Sequence, residues 1–542
     1  MANFDILLWA LENSKEYRDL WSALEMSRKM SRPKPFSVIG LSEGTVPVFL
    51  SAISRGEVDN GRRIMLLFQG EGEAAKAAQA LCDVGVNALH YPSKDFNYNL
   101  SIASRDYEHE RLSVLSKLLF SEDAVAICTT PEAALQVTMP PEELVFLTTP
   151  IERERCLDLE KLTETLISGG YTRVELVEGS GQFAIRGGIV DIYPPAESPY
   201  RIELFGDEID RIGTFDPVTQ RFSADLDAKL LIPPSREVVI DSDRREKIRE
   251  AIKAQSMRLL KKGELKTAIT TLKEELERVD NSLDLPFADK YLPLIYPESC
   301  CLMDYFDGLI LMSDINALRE RAKEAISLNA ETIADICASG ELRGGEGEWF
   351  CSFERIEKAM SAYPSLIIES FSRSHPGLTL GGEFSFRCRH IPSYGGNTEL
   401  MREDLVPLVR EGYKVCLLCA NDAEAKNMAT ELLDMGISAG VCHGDPSYFG
   451  DMKRTYPVAV IYGESMAGFE LFGAKFALLD YSGNVFAARS ARKVRKNKHK
   501  DKKTKQILSY SDLESGDYIV HEAYGIGQFL GIENLTVDGM SR

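Results

Sequence analysis

Hydrophobic and polar positions alternate most sharply between residues 181 and 222. The run Gly181-Gln-Phe-Ala-Ile-Arg-Gly-Gly-Ile-Val-Asp-Ile-Tyr-Pro-Pro195 is followed by Tyr200-Arg-Ile-Glu-Leu-Phe205 and Thr214-Phe-Asp-Pro-Val-Thr-Gln-Arg-Phe222. This pattern predicts a short antiparallel meander. Successive side chains of a strand point to opposite faces. Tyr200, Ile202 and Leu204 therefore share one face, and Arg201, Glu203 and Phe205 the other. A face bearing Arg201 and Glu203 is expected to meet water, which makes Phe205 an exposed aromatic. Exposed aromatics beside arginine are the usual composition of a binding hot spot. Gly206-Asp207 reads as the next hairpin turn, in preference to Asp207-Glu208 as a metal pair.

Elsewhere the periodicity changes. Residues 1–30 are helical in pattern and are broken by Pro33 and Pro35. Buried strands are predicted at 36–40, 63–69 and 124–130, with helices over 73–84 and from Glu108. This is the alternation of a parallel α/β layer. A helix over 157–169 leads into the meander, and Pro233-Pro234 leads out. Residues 242–280 carry a helical apolar stripe (Ile248, Ile252, Leu259, Leu265, Ile269, Leu272, Leu276) interrupted at Gly263. Strands return at 309–313 and 365–370. Strand and helix then alternate again from 400 to 480, and a compact β pattern occupies 516–532.

Composition adds bounds. The 542 residues are 44% hydrophobic and 27% charged, room for several cores. No apolar run is long enough to span a bilayer. The patch at residues 6–10 lies between Asp5 and Glu12, the wrong charge pattern for a secretory leader, so it is expected to be an amphipathic helix of a cytoplasmic protein. The 11 cysteines are scattered; Cys416 and Cys419 sit in a strand pattern and are expected to be buried thiols. The seven histidines (His90, His109, His375, His390, His443, His499, His521) show no metal-ligand spacing. Net charge is −20, yet residues 489–505 hold ten Lys/Arg and one Asp. That run reads as a solvated linker, with phosphate contact as the alternative.

The meander also resembles a family signature. Arg186 to Pro194, Tyr200 to Ile209 and Phe215 to Arg221 are similar to domain 2 of the UvrB and transcription-repair coupling factor proteins. In that family the domain binds UvrA, the damage-recognition ATPase. The resemblance carries Arg186, Arg201 and Phe205 over as UvrA-contacting residues, the arginines pairing with carboxylates and Phe205 filling an apolar pocket. The ending, Gly516-Asp-Tyr-Ile-Val-His-Glu-Ala-Tyr-Gly-Ile-Gly-Gln-Phe-Leu-Gly-Ile532, resembles the opening of the CarD-like RNA polymerase-interacting domain of the coupling factors. It implies polymerase contact around Val520, His521, Tyr524, Gly525, Ile526 and Gly527.

The fold implied is multidomain α/β: a degenerate P-loop-type parallel α/β domain, an inserted antiparallel β-rich (α+β) domain, a further α/β domain and an incomplete C-terminal β domain. The expected segments are 1–147 and 236–379 for the first domain, 148–235 for the insert, 380–488 for the third, 489–506 for the linker and 507–542 for the last. The strand-to-helix turn at residues 40–47 stands where this family has a Walker A loop. Aligned on Gly40, the pattern Gly-x4-Gly-Lys-Ser/Thr puts Thr45, Val46 and Pro47 at its last three positions, with Gly44 just before them. Val46 cannot neutralise a phosphate, and Pro47 offers magnesium no hydroxyl and the anion no N–H.

The chain is thus expected to bind no cofactor or metal and to catalyse nothing itself. It is read as the N-terminal part of a coupling factor that recruits UvrA, monomeric and without membrane contact. The ATP- and magnesium-dependent DNA motor is expected to be absent, and with it most DNA contact and the domain that masks the UvrA site, so UvrA binding is expected to be constitutive. The alternatives are a UvrB-like ATPase that loads on damaged DNA, or a CarD-like polymerase regulator.

Overall fold

The computed structural model describes residues 4–94 and 106–482, apart from 196, 227–228, 263–265, 282–284, 286–287, 341–348, 374, 376, 443–445 and 450–455, and then 518–521, 525–528, 536–537 and 540–541. The basic run 489–505, Tyr524, His443 and His499 lie outside the described residues.

A seven-stranded parallel sheet organises the first domain. Its strand order is Gly382–Ser385, Phe36–Ile39, Ser365–Glu369, Leu309–Ser313, Ile64–Leu67, Ala126–Thr129, Ala88–Tyr91. The central strands are apolar and buried along their length, as a sheet covered on both sides requires. Strands from either side of the meander interleave here, so the meander is an insertion. Gly382–Ser385 pairs with Phe36–Ile39, which carries the first sheet past residue 379. A second sheet is built from Cys388–Ile391, Gly468–Leu471, Phe476–Asp480, Lys414–Cys419, Val458–Tyr462 and Ala439–Val441; Gly468–Leu471 pairs antiparallel with both of its neighbours, and the remaining pairings are parallel. Cys416 and Cys419, three apart on a strand, fall into different cores as free buried thiols. The interrupted helical stripe is a helix pair, Ser242–Lys262 and Lys266–Asp280. The 25-residue helix Ile315–Ser339 has no counterpart in the sequence reading; its N-cap Asp314 accepts from the Ala317 N–H.

The inserted domain begins and ends on one ribbon, where Thr149–Ile151 pairs antiparallel with Leu230–Ile232. Its helix α1 (Leu159–Ser168) starts at Asp158, whose side chain accepts from the backbone N–H groups of Glu160 and Lys161. Six strands follow: β1 (Thr172–Arg173), β2 (Gln182–Arg186), β3 (Ile189–Tyr193), β4 (Tyr200–Phe205), β5 (Glu208–Phe215) and β6 (Phe222–Asp225). They lie in the order β6-β5-β4-β3-β2-β1, antiparallel except for β1 against β2. Leu162 and Leu166 of α1 pack on Phe183, Val190, Ile192, Ile202, Ile209 and Ile212. One sheet face is therefore core, and the other carries the meander's charges.

A buried polar hub joins the insert to the first domain. Glu237, just past the insert, accepts from Arg111 Nε at 2.7 Å, Lys94 Nζ at 2.7 Å and Thr138 Oγ1 at 2.7 Å. Arg111 also lies over the Tyr91 ring. Burial alone would raise the Glu237 carboxyl; Arg111 and Lys94 outweigh that and hold it below its ordinary value.

The C-terminal strands form a separate unit. Tyr518–His521 pairs antiparallel with Gly525–Gln528, Val520 facing Ile526 and His521 facing Gly525 in register. Thr536–Val537 pairs with Met540–Ser541.

Candidate functional site

The open face of the inserted sheet is set by register. Asp191 on β3 stands opposite Arg201 on β4, and Arg201 opposite Gly213 on β5. One row nearer the hairpins, Arg186, Ile189, Glu203 and Arg211 are partnered across β2 to β5. Phe205 caps the row beyond, at the Gly206-Asp207 hairpin that returns Glu208 opposite it. The Gly187-Gly188 hairpin is at the same end, tied to β4 by the Leu204 N–H donating to Gly188 O at 2.7 Å. Gly187 and Gly206 both have φ above +60°, the conformation such two-residue turns demand of their first residue.

Phe205 projects into water and is 84% exposed. Its companions on the face differ from the sequence expectation. Arg201 does not face water: it is 9% exposed. Its Nε and NH2 donate to the two oxygens of Asp191, at 2.6 and 2.9 Å, and its NH1 donates to Gln220 O at 2.9 Å. The guanidinium also lies 4.7 Å from the Phe215 ring centroid. The reason is local. At this end of the sheet Val177, Ala184 and Phe215 form a small second core, and the Asp216–Arg221 turn closes over it. Alternation along β4 assigned the right face, yet only its hairpin end is open. The hydrogen bond to Asp191 raises the Arg201 pKa further, so its charge is permanent.

Arg186 keeps 40% of its side chain exposed while NH2 donates to Asp191. Asp191 itself is fully buried, so one carboxylate sits between two guanidinium groups. Burying a carboxylate is costly unless it is paired, and here both oxygens are engaged. Towards the sheet edge, Arg211 makes a bidentate pair with Asp225 at 2.6 and 2.9 Å, and its guanidinium lies 3.5 Å from the Phe222 ring centroid. The hydrogen bond from Arg211 lowers the Asp225 pKa. The sequence reading missed Asp191, Arg211 and Asp225. Asp191 had a signal: it is the one charge in the strand Ile189-Val-Asp-Ile-Tyr193.

The turn at residues 40–47 has the predicted strand-to-helix form, with a helix over Thr45–Asp59. Three of its amides are already used. The N–H groups of Thr45 and Val46 donate to Ser42 O at 2.9 and 3.1 Å, and Ser42 N–H donates to Thr45 Oγ1 at 2.7 Å. The glycines serve packing: a Cβ on Gly40 would lie 2.1 Å from Phe386 O, and one on Gly44 2.2 Å from Ala467 O. Pro47 occupies the first helical turn, where its missing N–H leaves nothing unpaired. Among the described residues, no three of the His, Cys, Asp and Glu side chains gather as metal ligands, and no helix is long and apolar enough to cross a membrane. Val520, His521, Gly525, Ile526 and Gly527 lie on the C-terminal hairpin strands.

Two family models match the chain. Residues 150–237 match the UvrB interaction domain, and residues 513–542 match the CarD-like/TRCF RID domain. The first match coincides with the inserted domain and its return to the hub. Among curated proteins, the transcription-repair-coupling factor of Bacillus subtilis (strain 168) is 28% identical over 93% of this chain. Those of Staphylococcus aureus (strain MRSA252) and Staphylococcus haemolyticus (strain JCSC1435) are each 26% identical, over 91% and 83% of it. The chain spans 42% of the length of the first two of these relatives and 38% of the third. The chain is thus similar to transcription-repair coupling factors along nearly its whole length, and two of its segments match domain models.

Proposed function

We propose that this chain is the recruiting part of a transcription-repair coupling factor, and that the open hairpin end of the inserted sheet docks UvrA. One observation carries the reading. Phe205 stands almost wholly in water on the sheet face that also carries Arg186, at the hairpin end that the small second core leaves bare, within the segment matched by the UvrB interaction domain. An apolar ring held out in this way has no use inside the domain, and a central aromatic anchor is typically worth about 2 kcal/mol or more in an interface. Arg186 then offers its exposed guanidinium to a carboxylate of the partner. Arg201 supports the face from behind and does not meet the partner's carboxylate directly. The C-terminal β unit is proposed to contact RNA polymerase around Val520 to Gly527, which would bring UvrA to stalled polymerase.

No nucleotide chemistry is proposed for residues 40–47. The reading is supported by Val46 and Pro47 at the phosphate positions and by amides already donating to Ser42. A UvrB-like ATPase would instead show a thermal shift with ATP and magnesium, and a flat response is expected. The docking proposal is tested by incubating the full chain with purified UvrA and following co-elution. Wild type is expected to co-elute and Phe205→Ala to elute apart; co-elution of both would end the proposal.

A further inference from the structure

We infer that Asp191 is the positioning residue of the docking face: its buried carboxylate anchors Arg186 in the pose that a partner meets, and Arg201 anchors the carboxylate. This rests on the docking role proposed above.

Asp191 stands at the middle of β3, out of water. Its Oδ2 accepts from NH2 of both Arg186, at 2.5 Å, and Arg201, at 2.9 Å, while Oδ1 accepts from Arg201 Nε at 2.6 Å. The two arginines are unequal. Arg201 spends Nε and both terminal nitrogens on Asp191 and Gln220, and its plane lies over Phe215. It has little left to offer another molecule. Arg186 is held through NH2, and two-fifths of its side chain remains in water. A long side chain free on a surface loses rotamer freedom when a partner fixes it; one already tethered loses less, so the tether strengthens binding without touching the partner. Arg201 in turn fixes Asp191 from the neighbouring strand and ties it to the Asp216–Arg221 turn through Gln220. Arg201 therefore contributes to recognition through Asp191.

A double-mutant cycle on the full chain tests this, with affinity read by titration against purified UvrA and folding read by the melting temperature. Asp191→Asn is expected to weaken binding about tenfold, and to change it less than about twofold when Arg186→Ala is already present. Asp191→Asn leaves Arg201 half-paired in the interior and risks unfolding the insert. The variant Asp191→Leu/Arg201→Met removes both charges together, an exchange that buried pairs tolerate well. It is expected to melt with wild type and to show the same tenfold loss, again only while Arg186 is present. Native affinity in that folded variant, or a loss that adds in full to that of Arg186→Ala, would overturn the inference. Phe205→Ala separates the two levels. If it binds UvrA like wild type, the docking reading itself fails; if it loses binding while the Asp191 variants do not, only the positioning role fails.

Discussion

Phe205 and Arg201 are four residues apart on one strand and face the same way, yet the chain uses them oppositely. Phe205 touches almost nothing in its own domain, so Phe205→Ala is expected to leave the melting temperature within about a degree of wild type. Arg201→Ala strands Asp191 as a buried carboxylate with one remaining partner. Removing one member of a buried pair typically costs about 3–5 kcal/mol, so this variant should unfold the insert at markedly lower urea. Equal urea midpoints for the two variants would contradict the assignment of one to recognition and the other to support. The strand alternation of Tyr200 to Phe205 was legible in the sequence because period two is a local property. The burial of Arg201 was not, because it depends on Asp191 ten residues earlier and on a turn that closes fifteen to twenty residues later.

At the scale of elements, the same division between local and distant causes recurs. The strands Phe36–Ile39, Leu309–Ser313 and Lys414–Cys419 and the paired helices after residue 242 follow from hydrophobic period alone. The docking of Gly382–Ser385 onto the first sheet does not, since its half-exposed pattern gives no hint of which sheet it joins. The edge of the inserted sheet offers a test of how tightly such distant contacts are set. A Cβ on Gly213 would lie 2.2 Å from Phe222 Cζ and 2.2 Å from Ala224 O. Gly213→Ala must therefore push β6 away, with the Arg211 stack and the Asp225 pair. A loss of about 1–3 kcal/mol is expected. Faster amide exchange should appear along β6 and leave β2 and β3 unchanged; protection equal to wild type on β6 would show that the strand is not held through this contact.

The molecule as a whole is a set of α/β layers with a β insert, and one cluster of its internal charges sits where the insert returns to the first domain. The Arg111–Glu237–Lys94 hub fastens the insert's exit to the first domain. Glu237 is held below its ordinary pKa in the folded state, so the stability it contributes is present above the ordinary carboxylate value and is lost as pH falls through the lowered one. Glu237→Gln should be much less stable than wild type at pH 7, and the difference should shrink as urea melts are taken below about pH 4. A difference that stays constant with pH would remove the hub's ionic character. The nucleotide-like turn is built for packing: Gly40 and Gly44 let backbone pass close to backbone, and the Thr45 and Val46 amides are spent on Ser42. Family resemblance located that turn in the sequence, but its glycines' packing partners come from residues more than 300 positions away.

The central claim is that an exposed ring at the hairpin end of the inserted sheet is what UvrA meets, and a titration of UvrA against three forms of this chain measures it most directly. Val218 is 90% exposed on the Asp216–Arg221 turn, at the other end of the sheet, which makes Val218→Ser a control for loss of apolar surface alone. Wild type and Val218→Ser are predicted to bind with the same Kd, and Phe205→Ala about thirtyfold more weakly or worse, all three melting together. A Phe205→Ala affinity within twofold of wild type would contradict the account.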